Sequence, residues 1–137
     1  GETAELGPFR ERAREIGLSA ATAEHLVRHY GTESAGIVNL AAIHRHLQRS
    51  LVPEHPAIEA EIVHISRREL AYRVEDVLVR RVHLFYEAPD HGVAAARRVA
   101  ELLGEEQGWD SVEVQRQADE YGAFVARTAR AAAQQSG

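Results

Sequence analysis

The sequence predicts an all-α fold, a single-domain bundle of about six helices with a short extended segment near residues 82–86. Three observations point there. Apolar residues recur at helical spacing along most of the chain. Glycine and proline fall between those stretches, where connections are needed. The stretch Val93–Glu106 is rich in alanine, the strongest helix former.

Residues 1–17 read as a linker or N-terminal extension that passes into a partial helix around Phe9–Ile16. Ser19 is placed to cap the next helix, because a serine oxygen accepts an otherwise unpaired N–H, and Gly31 to end it. Glu33 sits in the first turn of a third helix opened by Thr32, with Ile37, Leu40, Ala41, Ile43 and Leu47 as its buried face. Pro53 and Pro56 make Leu51–Pro56 a loop by denying backbone donors. A helix over about Ala57–Leu70 follows, then a break near Tyr72–Arg73, a shorter helix over Val74–Arg81, and an extended run Val82–Tyr86. Pro89–Gly92 leads into the alanine-rich helix, with Val93, Val99, Leu102 and Leu103 on one side. Gly108–Ser111 makes the next turn. The last helix spans about Val112–Ala131, anchored by Ala118, Tyr121, Val125 and Ala129, and residues 132–137 are expected to fray.

Between Glu61 and Tyr86, charged residues punctuate an apolar pattern. Glu61, Arg67, Glu69, Asp76, Arg80 and Arg81 are candidates for a paired network, seated on Ile62, Ile65, Leu70, Val74, Val77, Leu78, Val82, Leu84 and Phe85. Glu69 precedes Arg73, and Asp76 precedes Arg80, by four residues. On a helix each such pair contributes roughly 0.2–0.5 kcal/mol, so helix support is the first reading of these two acids. No nucleophile stands beside a base here, and the stretch reads as architecture.

The totals exclude several classes. At 137 residues, 45% hydrophobic and 27% charged, the chain suits one globular domain and has no apolar run of membrane-spanning length. A net charge of -5 argues against a nucleic-acid module. Without cysteine there are no disulfides, iron–sulfur clusters or thiolate metal sites, which is compatible with a cytoplasmic location. No methionine occurs and the chain opens Gly1-Glu2-Thr3-Ala4, so it is expected to be a piece of a longer protein.

His25 and His29 share a helix face at the spacing of a two-histidine metal site, but no third ligand is fixed by spacing and His-Glu-x-x-His is absent; ordinary structural or surface roles are expected, and no metal. His44 and His46, two apart, point in different directions. Glu59 with Glu61, or Glu69 with Asp76, are the nearest carboxylate pairs, with nothing to tune one as acid and the other as base. Neither Gly-x-Gly-x-x-Gly nor Gly-x-x-x-x-Gly-Lys-Ser/Thr occurs, so no nucleotide fold is expected within these residues. Arg80 and Arg81 offer planar bidentate donors, expected to meet carboxylates within the protein or on another domain.

Taken in order, Thr22–Gly31 (TAEHLVRHYG), the Leu51–Pro56 loop, Glu59-Ala60-Glu61 to Arg67-Arg68-Glu69-Leu70-Ala71, Glu75-Asp76-Val77-Leu78 to Arg80-Arg81, and Val99-Ala100-Glu101-Leu102 to Gly108-Trp109-Asp110 resemble the C-terminal helical domain of aerobic, FAD-dependent glycerol-3-phosphate dehydrogenases. The resemblance covers about Leu18–Phe124. It implies a parent flavoprotein of glycerol metabolism that oxidises sn-glycerol 3-phosphate to dihydroxyacetone phosphate and passes electrons to quinone. It further implies FAD held by other domains of the same polypeptide, no cofactor or catalytic residue in this piece, and a parent peripheral on the cytoplasmic membrane face. Residues 18–131 would be the cap domain. Glu61, Arg67, Glu69, Asp76, Arg80 and Arg81 match the family's central polar pattern and Trp109 its aromatic at the last turn, with structural and interdomain roles implied. His64 departs from a position usually aromatic and Val82 from one often threonine, which weakens any side-chain hydrogen bond inferred there. No calcium-binding extension like that of mitochondrial relatives is expected within these residues, since no Asp-x-Asp-x-Asn/Asp-Gly loop occurs. The alternative is a free-standing helical protein-interaction or dimerisation module, acting as a homo-oligomer.

Overall fold

The computed structural model describes residues 2–69 and 73–136, and among these seven α-helices and no strand are formed: α1 (Glu2–Glu15), α2 (Ala20–Tyr30), α3 (Ser34–Ile43), α4 (Glu59–Arg68), α5 (Leu84–Glu87), α6 (Ala96–Gln107) and α7 (Ser111–Ser136). The all-α expectation holds. The contacts fall into two compact units, residues 1–64 and residues 65–137.

In the first unit α1 packs on α2 and α3. The stretch expected to be a linker is therefore helical, because Phe9 and Ala13 lie one turn apart and both are buried. Gly17, at a φ of +100°, ends α1. Leu18 N–H reaches back to Ala13 O at 3.0 Å and Gly17 N–H to Arg14 O at 3.0 Å, a Schellman closure whose apolar residue, Leu18, is buried. Ser19 caps α2 as its sequence position suggests, accepting from Thr22 N–H at 3.0 Å. Gly31 ends α2, its N–H bonded to Val27 O.

α3 begins at Ser34 after a 3-10 turn over Gly31–Glu33, and buries Ile37, Val38 and Ala41. Ile43, expected on that face, is 74% exposed, because α3 stops there and a 3-10 turn, Arg45–Gln48, carries Leu47 inward instead. The Leu51–Pro56 loop forms as expected, flanked by a single antiparallel bridge between Ser50 and Ile58. Leu26, Ile37, Ile58 and Ile62 are all but fully buried; each such side chain contributes about 1.5–3 kcal/mol.

In the second unit α6 lies along α7. Val99, Ala100, Leu102 and Leu103 face inward from α6, and Val114, Ala118, Tyr121 and Val125 from α7. Gly104 permits the close approach: a Cβ there would sit 3.0 Å from Val114 Cγ2 and 3.3 Å from Trp109 Cβ. Gly108, at a φ of +79°, then ends α6. Two expected anchors are on the outside. Val93 is 41% exposed, lying in a 3-10 turn ahead of α6, and Ala129 is exposed because α7 runs past its partner, continuing helical through Ser136 with residues 126–135 all exposed.

The expected extended segment over 82–86 is overturned. Glu87 N–H bonds to His83 O at 3.0 Å and Ala88 N–H to Leu84 O at 2.9 Å, making residues 84–87 one turn of α-helix. A short apolar run does not distinguish strand from buried helix by periodicity, and here Leu84 goes inward while Tyr86 stays 70% exposed. The helix expected over Val74–Arg81 is largely π-wound: Asp76–Arg81 form a π-helix closed by Val82 N–H on Val77 O at 2.9 Å. Val74, Val77, Leu78 and Val82 are buried as the apolar pattern suggests, whereas Leu70 and the break at Tyr72 lie outside the described residues.

Ahead of α6, Asp90 organises the turn. Its Oδ1 accepts from Gly92 N–H and its Oδ2 from Ala94 N–H, both at 2.9 Å. Those bonds, led by Ala94's, hold the Asp90 carboxyl below the usual carboxylate range against a smaller opposing effect of burial. The lowered folded value means that the stabilisation is complete above the unfolded value of about 3.9 and is lost as pH falls through the folded one. Asp90→Ala is expected to cost about 0.5–2 kcal/mol at neutral pH in urea unfolding, with the gap to the parent chain narrowing below about pH 4. A gap that stays constant into acid would contradict the assignment.

Candidate functional site

The most constrained polar group is Glu61, on the first turn of α4 in the first unit and fully buried. A buried carboxylate is tolerated when its oxygens are saturated with donors. Glu61 Oε1 accepts from His25 Nε2–H at 2.8 Å and from Tyr30 O–H at 2.8 Å, while Oε2 accepts from Ile58 N–H at 2.6 Å. His25 is buried and Tyr30 half-buried, so α2 supplies two side chains five residues apart to one acid on α4. Thr22, also on α2, donates to Pro56 O at 2.9 Å, tying the same helix to the loop that presents Ile58.

Further imidazoles surround this centre. The His25 and His29 rings are 4.5 Å apart, as their shared helix face suggests, and His55 meets His25 edge-on at 5.9 Å. His64 stands edge-on to Tyr30 at 6.0 Å, with its Nε2 3.5 Å from Glu33. Among the described residues no group of three or more His, Asp or Glu side chains is arranged to hold a metal ion. His44 and His46 lie at the end of α3 with rings 6.1 Å apart, both exposed.

The other sequence-predicted residues belong to the second unit. Arg67 forms a bidentate pair with Glu106 of α6, with Nε 3.2 Å from both oxygens. Glu69 pairs with Arg81 rather than with Arg73. Asp76 accepts from Arg73 N–H at 3.1 Å and lies 3.7 Å from its Nε, and does not pair with Arg80. Both expected i, i+4 pairs are thereby replaced: Glu69 sits in a bend after α4, and π winding shifts residues 76–81 off the α-helical register. These pairs are exposed and contribute at most about 1 kcal/mol each. Arg80 is exposed and makes no ion pair among the described residues. Trp109 is half-buried, stacked over Gly104 where α6 turns into α7.

The predicted set is thus several local devices, not one network. Sequence reasoning missed His25 and Tyr30 as partners of Glu61; the only available signal was an acid at the head of an apolar helix face. Among the described residues no strand is formed, and no Gly-x-Gly-x-x-Gly pattern occurs in the sequence. No described helix is long and apolar enough to cross a membrane.

Residues 4–114 match the model of the C-terminal domain of alpha-glycerophosphate oxidase. Glycerol-3-phosphate dehydrogenase 2 of Mycobacterium tuberculosis is 29% identical over 109 residues, covering 80% of this chain and 19% of that protein. The mitochondrial glycerol-3-phosphate dehydrogenases of Arabidopsis thaliana and Homo sapiens are each 30% identical, over 68% and 76% of this chain and 15% of their own lengths. The chain therefore spans less than a fifth of these relatives. No solved structure matches.

Proposed function

Because the chain belongs to the family of the C-terminal domain of alpha-glycerophosphate oxidase, we propose that it is the non-catalytic helical part of an FAD-dependent enzyme that oxidises sn-glycerol 3-phosphate to dihydroxyacetone phosphate and passes electrons to quinone. The carrying observation is the family match over residues 4–114 in a chain without the glycine pattern that holds a dinucleotide. FAD and substrate would be bound by other domains of the same polypeptide, the parent lying peripherally on the cytoplasmic membrane face.

In this reading the residues contribute architecture. Glu61 fixes α2 to the start of α4, Arg67 and Arg81 pair within the second unit, and Trp109 fills the α6–α7 corner. Arg80, exposed on the π-helical turn, is the member of the set available to a carboxylate of a neighbouring domain. The test is to purify the chain, record its flavin absorbance and fluorescence after incubation with FAD, and assay sn-glycerol 3-phosphate oxidation with a dye acceptor. Neither bound flavin nor turnover is expected; stoichiometric flavin or turnover by the chain alone would overturn the proposal.

A further inference from the structure

Residues 34–53 contain no acid, in a chain whose net charge is -5, and their ionisable side chains are His44, Arg45, His46 and Arg49. All four are exposed, and beside them stands Ile43, 74% exposed. We propose that this corner, where the chain leaves α3, is a contact for an anionic lipid surface: Ile43 enters the headgroup boundary and the two arginines meet the anionic headgroups around it. The proposal rests on the peripheral membrane location inferred above for the parent and assigns part of that contact to this chain.

The corner is built to present these side chains. His44 N–H closes α3 on Leu40 O at 2.8 Å, and Leu47 N–H on His44 O at 2.9 Å holds the 3-10 turn that follows. Leu47, 4% exposed, anchors that turn from beneath, while Gln48 Nε2 donates to Ala41 O at 3.0 Å. Past the turn, Glu59 N–H holds Arg49 O at 2.9 Å. The backbone is thus pinned on both sides of an exposed apolar and basic tip.

The charge there is not neutralised locally. Arg45 donates to Ile16 O at 3.3 Å, a neutral acceptor, and neither Arg45 nor Arg49 enters an ion pair among the described residues. Glu15, exposed at the end of α1, does not pair with Arg45, and Glu59 is buried. The negative charge carried elsewhere on the chain is screened beyond about 10 Å at ~0.1 M salt.

An isoleucine set among cations discriminates between anionic partners. A phosphate polymer gives the arginines contacts, but its bases reward stacking on aromatic side chains, and this tip presents an aliphatic one. A specific protein interface needs a much broader face than one turn of chain. A lipid boundary accepts a small apolar projection and surrounds it with negative headgroups.

The test is co-sedimentation of the intact chain with phosphatidylcholine vesicles, with and without phosphatidylserine. Binding is expected only to the phosphatidylserine vesicles, and it should weaken as salt rises. Arg45→Gln and Arg49→Gln should each lower the affinity about fivefold, and Ile43→Ser on the order of tenfold. Arg127→Gln with Arg130→Gln, which removes two exposed charges from α7, should leave it unchanged. Because the chain has no cysteine, Ile43→Cys takes a single polarity-sensitive fluorophore, whose emission should shift to the blue on vesicles. No binding to phosphatidylserine vesicles, binding indifferent to the corner variants, an unshifted fluorophore, or binding to poly-uridylate that matches the vesicles and ignores Ile43→Ser would each overturn the lipid contact. The flavin and turnover assays above read other properties, so either proposal can fail without the other.

Discussion

Glu61→Ala is expected to lower the unfolding free energy by about 3–5 kcal/mol, the cost of breaking a buried polar cluster by removing one partner. The magnitude follows from what is left behind. His25 Nε2–H, Ile58 N–H and the half-buried Tyr30 O–H would lose their shared acceptor, the first two in surroundings that are buried. Glu61→Gln keeps one carbonyl oxygen but sets an amide donor against one of those three, so a smaller loss of about 1–3 kcal/mol is expected. Urea unfolding at neutral pH measures both. A double-mutant cycle with His25→Ala adds a coupling energy, expected to be well above the few tenths of a kcal/mol typical of independent sites. Additive losses would mean that the pair is only a geometric neighbour.

Tyr121→Ala should cost about 3–5 kcal/mol, as large aromatic truncations in a packed core do. Tyr121 is 1% exposed and leads the α7 side of the α6–α7 core, and its hydroxyl donates to His91 O, pinning the turn ahead of α6. Burial, reinforced by the nearby Asp90 and Glu75 charges, pushes the phenol above its usual range, in keeping with a hydroxyl that stays protonated and donating. Tyr121→Phe isolates that bond and should cost about 0.5–1.5 kcal/mol. If the phenylalanine variant were as unstable as the alanine one, the hydroxyl rather than the ring would carry the anchoring, and the packing account of the second unit would be wrong.

Much of this was legible in the sequence where the cause is local. Ser19 and Gly31 bracket α2 because a cap and a positive-φ stop act on their nearest neighbours, and the alanine-rich stretch ahead of Gly108 became α6 for the same reason. Local rules failed where winding is decided by packing. Val74, Val77, Leu78, Val82 and Leu84 were correctly read as core, while Phe85 is only half-buried, yet burying Val77, Leu78, Val82 and Leu84 together is achieved through a π-helical stretch and a left-handed His83, at a φ of +61°, which no spacing rule announces. The linker reading of residues 1–17 failed for a related cause, since the burial of Phe9 and Ala13 is a tertiary event. Of the polar residues singled out, Glu61 proved the most constrained, but its partners lie 36 and 31 positions away, and nothing in the spacing of an acid predicts which distant histidine will face it.

The central claim is that this helical chain is the architectural part of a larger flavin enzyme. It is tested most directly by reading the encoding gene upstream of the codon for Glu2. The account predicts a continuous reading frame that contains, near its start, a strand, a Gly-x-Gly-x-x-Gly turn and a helix; a start codon immediately before Glu2 would contradict it.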